Sequence, residues 1–512
     1  MYKLPGNMKH EKNRKQVIYQ LMVLVDGAEL TDIRYSDINM PATDTVWWDS
    51  LSEDWKDLFL FNVAFDPLIK NPDDYKLNFG NELNYKELTG KEYVKAEYYH
   101  VDELIGKIRK LKQFYIGYVW FWQNSINDIG PLEIMQDLHT LIFLNININL
   151  FGTGTSLRPL ANLKKLKYLH LSGNKADLRP LNSLNHLETL YLRYNTANIA
   201  PLANLGKLLH LKMEGNKQSL KPIGNLNKLR KLELSWNESD LSPVFKLENL
   251  TRLAITHSEL SDISLIKNLV RLTELYLPSN KIEDIKQLEK LKGLTRISLS
   301  NNKIKDIEAL SKLDALSYLD LHNNKIADIS PLANLKELKT LVLDHNRLQD
   351  AGALSNLTNL SYLDVSNNTI KELGFASKLV KLKGLYLHAN DLSDIKPLAN
   401  LKGLEYLNLS LNEAAGIWDY DDGIVETVFR ETSEISDLSP LAGLTKLKAL
   451  CLGDNKADLT PIAHLTNLER LDLSDNKTDT EAIKKLIAHI RAKGGKVIEK
   501  NREDKEIGNM PF

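Results

Sequence analysis

The sequence predicts an α/β solenoid, a right-handed curved coil with a parallel β-sheet on its concave face and short 3₁₀ or extended segments on its convex face. The chain has 512 residues, whereas single hydrophobic cores stop growing at about 250–300 residues. A leucine recurs every 21 or 22 residues with one interruption, and thirteen of the fourteen units carry an asparagine eight positions later. A period of this length is the signature of a repeat array. The fourteen leucines are Leu166, Leu187, Leu208, Leu229, Leu250, Leu272, Leu294, Leu316, Leu338, Leu360, Leu382, Leu404, Leu447 and Leu468.

Each unit begins with the pattern Leu-x-x-Leu-x-Leu-x-x-Asn, as in Leu316–Asn324. The period of two predicts a strand whose fourth and sixth residues point inward and whose third, fifth and seventh residues point outward. The ninth-position asparagine can both donate and accept hydrogen bonds, so stacked asparagines should form a ladder. About 12 residues remain for the return path, which favours 3₁₀ or extended segments. Several of these segments are entered through a proline, such as Pro180, Pro201, Pro331 and Pro397.

The repeats are predicted to occupy residues 106–480 as about 17 coils, including two longer early coils that begin at Leu111 and Leu138. Residues 1–105 do not repeat and are rich in aromatic side chains, so they are interpreted as an N-terminal capping domain; a separate active or binding domain is the alternative. Residues 481–512 are interpreted as a C-terminal cap and tail. Within this cap, Thr480–Arg491 is typical of an amphipathic helix, and a last strand is expected after it.

The repeat is interrupted once, where Leu404 and Leu447 are 43 residues apart. This spacing equals two repeats, so we interpret the region near 413–446 as a decayed coil with a strand at Val425–Thr432. The alternative interpretation is an inserted loop, Glu413–Glu434.

Composition gives broad limits on function. Lys plus Arg is 66 and Asp plus Glu is 67, for a formal charge of -1, so no bulk attraction to nucleic acid or anionic membranes is expected. Cys451 is the one cysteine, so the fold does not need an oxidising compartment. The apolar stretch at residues 17–25 is interpreted as a buried strand, with a secretion signal as the alternative. We therefore expect a cytoplasmic, monomeric protein that does not enter membranes, with secretion as the alternative.

The outward strand positions indicate where a partner could bind. In the later coils they are aromatic and acidic, with neither Lys nor Arg from Tyr318 to Tyr406. Tyrosine is enriched in interface hot spots, so these positions are predicted to bind a protein partner. They are Tyr318, Asp320, His322, Asp344, Tyr362, Asp364, Tyr386, His388 and Tyr406. A secondary, mainly basic and aromatic patch is predicted at Tyr168, His170, Tyr191, Arg193, Lys212, Lys231 and Arg252.

No catalytic residue, cofactor or metal site is expected. Asp320, His322 and Asp344 are interpreted as solvated polar residues rather than metal ligands. Cys451 occupies an outward position without a base beside it, which argues against a nucleophile. The segment Gly152–Thr155 lacks the lysine of a phosphate-binding loop and is interpreted as a turn.

The repeat, with phrases such as Asp328–Leu335, resembles the short leucine-rich repeats of the bacterial internalins and of the nuclear regulatory subunit of type-1 protein phosphatase. This resemblance implies a non-enzymatic protein that binds a macromolecular partner on the concave face as a scaffold or regulator. The chain departs from the internalins because no convincing signal peptide or wall anchor is visible. A secreted or surface adhesin or effector is therefore the alternative, and an enzyme with activity in residues 1–105 is a third candidate.

Overall fold

The computed structural model describes most of the repeat region. The described residues are 51, 108–111, 113–117, 129–135, 137–144, 156–172, 177–195, 197–410, 435–453, 455, 457–474, 476 and 478–499. Four predicted features lie outside these residues: the N-terminal capping domain apart from Leu51, the apolar stretch at 17–25, the Gly152–Thr155 segment and the strand Val425–Thr432. Among the residues described, no helix is long and apolar enough to cross a membrane.

Short strands recur at the predicted positions of the repeat. They are β1 (Gln113–Gly117), β2 (Thr140–Leu144), β3 (Tyr168–Ser172), β4 (Thr189–Arg193), β5 (His210–Glu214), β6 (Lys231–Ser235), β7 (Arg252–Thr256), β8 (Glu274–Tyr276), β9 (Arg296–Ser298), β10 (Tyr318–Asp320), β11 (Thr340–Val342), β12 (Tyr362–Asp364), β13 (Gly384–Tyr386), β14 (Tyr406–Asn408), β15 (Ala449–Cys451), β16 (Arg470–Asp472) and β17 (Lys496–Ile498). β1 and β2 confirm the two early coils.

The return path of each coil from β1 to β15 contains a 3₁₀ helix, as the repeat length predicts. Proline lies in the first turn of several of them, where its missing N–H costs nothing. The 3₁₀ helices are Gly130–Ile134, Arg158–Asn162, Arg179–Ser183, Ala200–Asn204, Lys221–Asn225, Val244–Lys246, Ser264–Asn268, Lys286–Lys290, Glu308–Lys312, Ser330–Leu332, Gly352–Asn356, Gly374–Lys378, Lys396–Asn400, Ser439–Leu441 and Thr460–Ile462.

The chain forms two compact units. The first comprises residues 1–233 and 237–247, and the second comprises residues 234–236 and 248–512. In the first unit, β1 to β5 pair in sequence order as parallel strands. In the second unit, β7 to β17 do the same. Each repeat therefore adds one strand to a parallel sheet.

The core of each unit is a set of stacked leucine and isoleucine layers. In the coil that begins at Leu316, the inward Leu319 and Leu321 are fully buried, as are Ile326 and Leu332 of the return path. Full burial of a leucine side chain contributes about 1.5–3 kcal/mol relative to exposure. A single coil cannot cover both sides of its own leucines, so this energy comes from neighbouring coils.

The strands on either side of the interruption between Leu404 and Leu447 are neighbours in the sheet. Residues 411–434 are outside the described residues, but β14 pairs directly with β15, with Tyr406 opposite Ala449. The Asn455 side chain also donates to the carbonyl of Leu409, 46 positions earlier. The direct pairing of the two strands agrees with the alternative interpretation, an insertion between two coils. The decayed coil itself stays a prediction, because its expected strand lies outside the described residues.

The end of the second unit follows the predicted pattern. Helix α1 (Glu481–Ala492) buries Ile483, Leu486, Ile487 and Ile490. β17 then pairs with β16 as the last parallel strand. The backbone passes between them through Gly494, whose φ of 82° is in the left-handed region that glycine adopts easily.

The predicted asparagine ladder is present in the second unit. The amide nitrogen of Asn302 donates to the carbonyls of Leu277 and Leu299 at 2.9 and 3.0 Å. Its side-chain oxygen accepts the backbone N–H of Ile282 at 3.0 Å. Each asparagine thus satisfies backbone groups of its own coil and of the coil before it. The same contacts recur at Asn280, Asn324, Asn346, Asn368 and Asn390.

The eighth residue of the repeat adopts a left-handed backbone conformation in ten consecutive coils, with φ between 49° and 66°. Such conformations cost a non-glycine residue about 1–2 kcal/mol. In the coils from Asn280 to Asn390, the adjacent asparagine of the ladder fixes the turn. The ten residues are Tyr194, Gly215, Trp236, His257, Ser279, Asn301, Asn323, His345, Asn367 and Ala389.

Replacing a ladder asparagine should destabilise the second unit. We expect Asn346→Ala to lower the free energy of unfolding by about 3 kcal/mol or more, because it leaves the carbonyls of Leu321 and Leu343 and the N–H of Ile326 without their partner, and each such buried group costs about 1–3 kcal/mol. The measurement is urea denaturation together with hydrogen exchange of the Ile326 amide.

Asn356→Ala is the matched control, because Asn356 is exposed at the end of a 3₁₀ helix. Equal denaturation midpoints and equal exchange rates for the two variants would contradict the structural role of the ladder.

Candidate functional site

The nine residues of the predicted partner-binding set lie on five consecutive coils of the second unit, and we call them the acidic-aromatic surface. β10 to β14 are adjacent and in register, so that Tyr318, Thr340, Tyr362, Gly384 and Tyr406 form one row across the sheet. Neighbouring strands in a sheet are about 4.8 Å apart. The repeat therefore brings residues distant in sequence onto one surface.

The tyrosines of this surface are not equally accessible. Tyr318, Tyr362 and Tyr406 are half-buried, but Tyr386 is only 8% exposed. The rings of Tyr362 and Tyr386 lie 5.2 Å apart, and the Tyr362 ring occupies the space above Gly384, where a Cβ would be 3.1 Å from it. The expectation that Tyr386 is exposed is therefore wrong, because the missing side chain at Gly384 lets the two rings close over the strand.

The carboxylates of Asp320 and Asp364 are held by hydroxyl groups. Asp320 accepts a hydrogen bond from the Ser298 hydroxyl at 2.7 Å, and Asp364 accepts one from the Ser366 hydroxyl at 2.7 Å. Asp364 is buried, which also departs from the expected exposure. Burial and the nearby charge of Asp344 raise the pKa of Asp364 above its usual value, although the Ser366 hydrogen bonds oppose this shift.

Asp344 lies between two histidines. Its Oδ2 is 2.7 Å from Nδ1 of His322 and 2.9 Å from Nδ1 of His345. Burial alone would raise the pKa of Asp344, but the hydrogen bonds with the two rings outweigh it and hold the pKa at about 2. Burial lowers the pKa of His322, and the Asp344 hydrogen bond together with neighbouring carboxylates raises it overall.

His345 was not identified from the sequence as a site residue. It occupies the eighth position of its coil, which sequence alternation does not assign to the outward face. The left-handed backbone at this position, with φ of 53°, directs the chain so that the ring meets Asp344 and His322. The recurrence of polar residues at the eighth position is the signal that could have found it.

The surroundings of the acidic-aromatic surface carry few cations. The guanidinium of Arg296 lies 4.4 Å from the centre of the Tyr318 ring, at the edge of the surface. His388 lies at the other side, near the amide of Asn367 at 3.4 Å. The outward strand positions from Tyr318 to Tyr406 include neither Lys nor Arg. The surface is therefore suited to a cationic group.

The secondary patch is divided between the two units, with Arg252 in the second unit and the other six residues in the first. Its basic groups are mostly paired with acids. Arg193 lies 2.9 Å from Glu214, and Lys212 lies 3.5 Å from Glu233. Because glutamates oppose these cations, the predicted basic character is largely neutralised.

The same compensation holds in the second unit, where Arg252 lies 2.6 Å from Glu274 and 4.6 Å from the centre of the Tyr276 ring. An arginine held in this way is less able to attract an acidic partner.

The aromatic part of the secondary patch is an edge-to-face cluster in the first unit. The ring of Tyr191 lies 5.3 Å from Tyr168 and 5.8 Å from His170. His170 is buried rather than exposed as expected, and this burial, with the charges of Arg193 and Lys212, lowers its pKa to about 4. A neutral imidazole packed between strands supports the sheet, so His170 is not available for direct contact with a partner.

Cys451 is buried at an outward strand position. Burial and the nearby Asp472 charge raise the pKa of its thiol to about 12, against the opposing influence of Arg470. A thiol reacts as the thiolate, so Cys451 is poorly suited to act as a nucleophile.

The thiol should therefore be protected in the folded chain. We expect the reaction of Cys451 with an aromatic disulfide reagent at pH 8 to accelerate by at least about 100-fold in denaturant, because unfolding exposes the thiol and restores a pKa near 8.5. The sequence holds one cysteine, so the colorimetric signal has a single source. Complete labelling of the native protein within seconds would contradict the burial.

Comparison with protein families places the repeat in a known class. Residues 292–334 and 336–378 match the model described as leucine-rich repeats in two copies, and these residues include most of the acidic-aromatic surface. A comparison with curated proteins found no match.

Several solved structures share the fold. An internalin (inlF) of Listeria monocytogenes is 26% identical over 70% of this chain and 90% of its own, with a TM-score of 0.51. A leucine-rich-repeat protein of Leptospira interrogans is 25% identical over 72% of this chain and 91% of its own, with a TM-score of 0.60. The functional domain of InlJ from Listeria monocytogenes is 23% identical over 65% of this chain and 66% of its own, with a TM-score of 0.50, and shows the fold alone. Together with the repeating strand and 3₁₀ helix, these matches confirm the predicted solenoid: the chain is a leucine-rich-repeat protein that resembles the internalins.

Proposed function

We propose that this chain is a non-enzymatic scaffold or regulator that binds a protein partner through the acidic-aromatic surface. The observation that carries the proposal is the row of tyrosines at Tyr318, Tyr362 and Tyr406, half-exposed beside carboxylates on a sheet that is held in register by buried hydrogen bonds. Tyrosine dominates interface hot spots because its large ring loses little conformational entropy on binding. Leucine-rich repeats commonly mediate contacts between proteins, which supports this use.

The chemistry of the surface favours a partner segment that presents Lys or Arg beside apolar side chains. Asp320 and Asp344 supply negative charge, and the tyrosine rings can accept a cation on their faces. Arg296 already lies over Tyr318 in this way within the chain. Asp364 and Tyr386 are buried, so their role is to support the exposed groups rather than to contact the partner.

The partner itself is found by capture on the immobilised full-length chain, followed by mass spectrometry and reconstitution with the purified candidate. We expect the triple variant Tyr318→Ala, Tyr362→Ala and Tyr406→Ala to weaken its binding by at least about 100-fold, because alanine substitution at a hot spot typically costs more than 1 kcal/mol per residue. Binding is measured by calorimetry, and circular dichroism checks the fold of the variant.

The double variant Val270→Ala and Val380→Ala is the matched control, because these residues are exposed apolar side chains off the strands. It should bind as the original chain does. A purified partner that binds the triple variant with unchanged affinity would remove the acidic-aromatic surface from the proposal.

We propose the cytoplasm as the location, and the resemblance to the internalins favours a second candidate, a secreted or surface-exposed adhesin or effector. Fractionation of cells of the source organism, with an antibody against the purified chain, separates the two. Protein confined to the cytosol excludes the second candidate, and protein in the medium or at the surface excludes the first.

A further inference from the structure

A cluster of two histidines and one aspartate lies within the acidic-aromatic surface. His322, Asp344 and His345 each offer one ligand atom, and these atoms lie within 4.8 Å of one another. Within the described part of the chain, no second group of three His, Cys, Asp or Glu side chains is this close. The cluster joins two neighbouring coils, because His322 belongs to the coil of β10 and the other two belong to the coil of β11.

The donor set suits a divalent transition metal. Imidazole nitrogen is a preferred ligand of zinc, copper and nickel, and carboxylate oxygen completes many such sites. In a tetrahedral zinc site with bonds of about 2.0–2.2 Å, ligand atoms lie about 3.3 Å apart. The two nitrogens now lie 2.7 and 2.9 Å from Asp344 Oδ2, so an opening of about half an ångström would admit the ion.

We propose that His322, Asp344 and His345 form a binding site for one divalent transition-metal ion, with Zn²⁺ as the reference ion. The three residues supply two imidazole nitrogens and one carboxylate oxygen. A fourth coordination position stays open to water or to a group from outside the chain, as in zinc sites with three protein ligands.

The solvent exposure of the ligand side chains and the negative charge around them both favour binding of the ion. The side chains of His322 and His345 are 34% and 37% exposed, so an ion can approach from solvent, whereas the Asp344 side chain between them is 14% exposed. Asp320 adds negative charge on the neighbouring strand β10. Asp320 also accepts the backbone N–H of His322 at 3.0 Å, which fixes the coil that carries this ligand.

The existing hydrogen bonds hold the three side chains close together without a metal. When the ion binds, each Nδ1 gives up the proton that it donates to Asp344: a neutral ring transfers it through solvent to Nε2, and a protonated ring releases it to solvent. The carboxylate exchanges two hydrogen bonds for one metal bond. The hydrogen-bonded form thus limits the side-chain entropy that metal binding must still remove.

His257 provides a matched control for His345. Both occupy the eighth position of a coil with a left-handed backbone, at φ of 49° and 53°. His257 stacks on Trp236 at 4.3 Å between ring centres. If backbone position alone made a histidine bind metal, substitution of either histidine would weaken metal binding. If the cluster is required, only substitution of His345 weakens it.

The test is a calorimetric titration of untagged, chelator-treated full-length chain with Zn²⁺, repeated with Co²⁺ so that the visible absorption reports the coordination geometry. We expect the original chain to bind one ion. His345→Asn and Asp344→Asn should each weaken the affinity for that ion at least tenfold. His257→Asn should bind as the original chain does. Circular dichroism and thermal unfolding without metal check that each variant folds.

A second measurement needs no variant. Zn²⁺ should protect His322 and His345, but not His257, from diethylpyrocarbonate, as read by mass spectrometry. Absence of binding by the original chain, equal binding by all variants, or equal modification of the three histidines with and without Zn²⁺ would overturn the site. The result is independent of the proposed protein partner, because neither measurement includes one.

Discussion

The fold of the second unit depends on buried hydrogen bonds that the ninth-position asparagines from Asn280 to Asn390 make to two coils at once. A coil of 21 or 22 residues leaves backbone groups at its turn without partners, and it also leaves its leucines half covered. The side-chain nitrogen of Asn324 donates to the carbonyls of Leu299 and Leu321, and its side-chain oxygen accepts the backbone N–H of Ile304. The hydrogen bonds that satisfy one turn therefore also set the distance and register between neighbouring coils. As a consequence, the leucine layers of the two coils bury each other.

The ladder also explains why the eighth residue tolerates a left-handed backbone. In all of these coils except that of His257, the residue lies directly before an asparagine, and in the ladder the turn brings that side chain into the space between coils. The energy gained from several buried hydrogen bonds exceeds the cost of about 1–2 kcal/mol for the unfavourable φ. Glycine fills the position at Gly215, but Asn301, Asn323 and Asn367 also occupy it, which agrees with the known tolerance of asparagine for this conformation.

Sequence periodicity predicted the strands, the 3₁₀ helices, the ladder and the C-terminal helix because each arises from a residue type repeated at a fixed position. It did not predict which outward side chains are accessible. Tyr386 is buried because Gly384, two residues earlier, lets Tyr362 lean across the strand. Similarly, the distance of 43 residues between Leu404 and Leu447 equals two repeats, but it did not predict that β14 pairs directly with β15. Length cannot distinguish a coil from an insertion, and side-chain exposure depends on the neighbouring coils.

Backbone position alone does not determine the chemistry of the candidate site. The repeat gives His257 and His345 equivalent positions and nearly equal φ angles. What differs is the residue beside them: Trp236 in the preceding coil covers His257, whereas Asp344 and His322 meet His345. A leucine-rich repeat thus supplies a regular backbone on which any two adjacent coils can combine their side chains. The candidate site therefore belongs to a pair of coils, because His322 lies on one coil and Asp344 and His345 lie on the next.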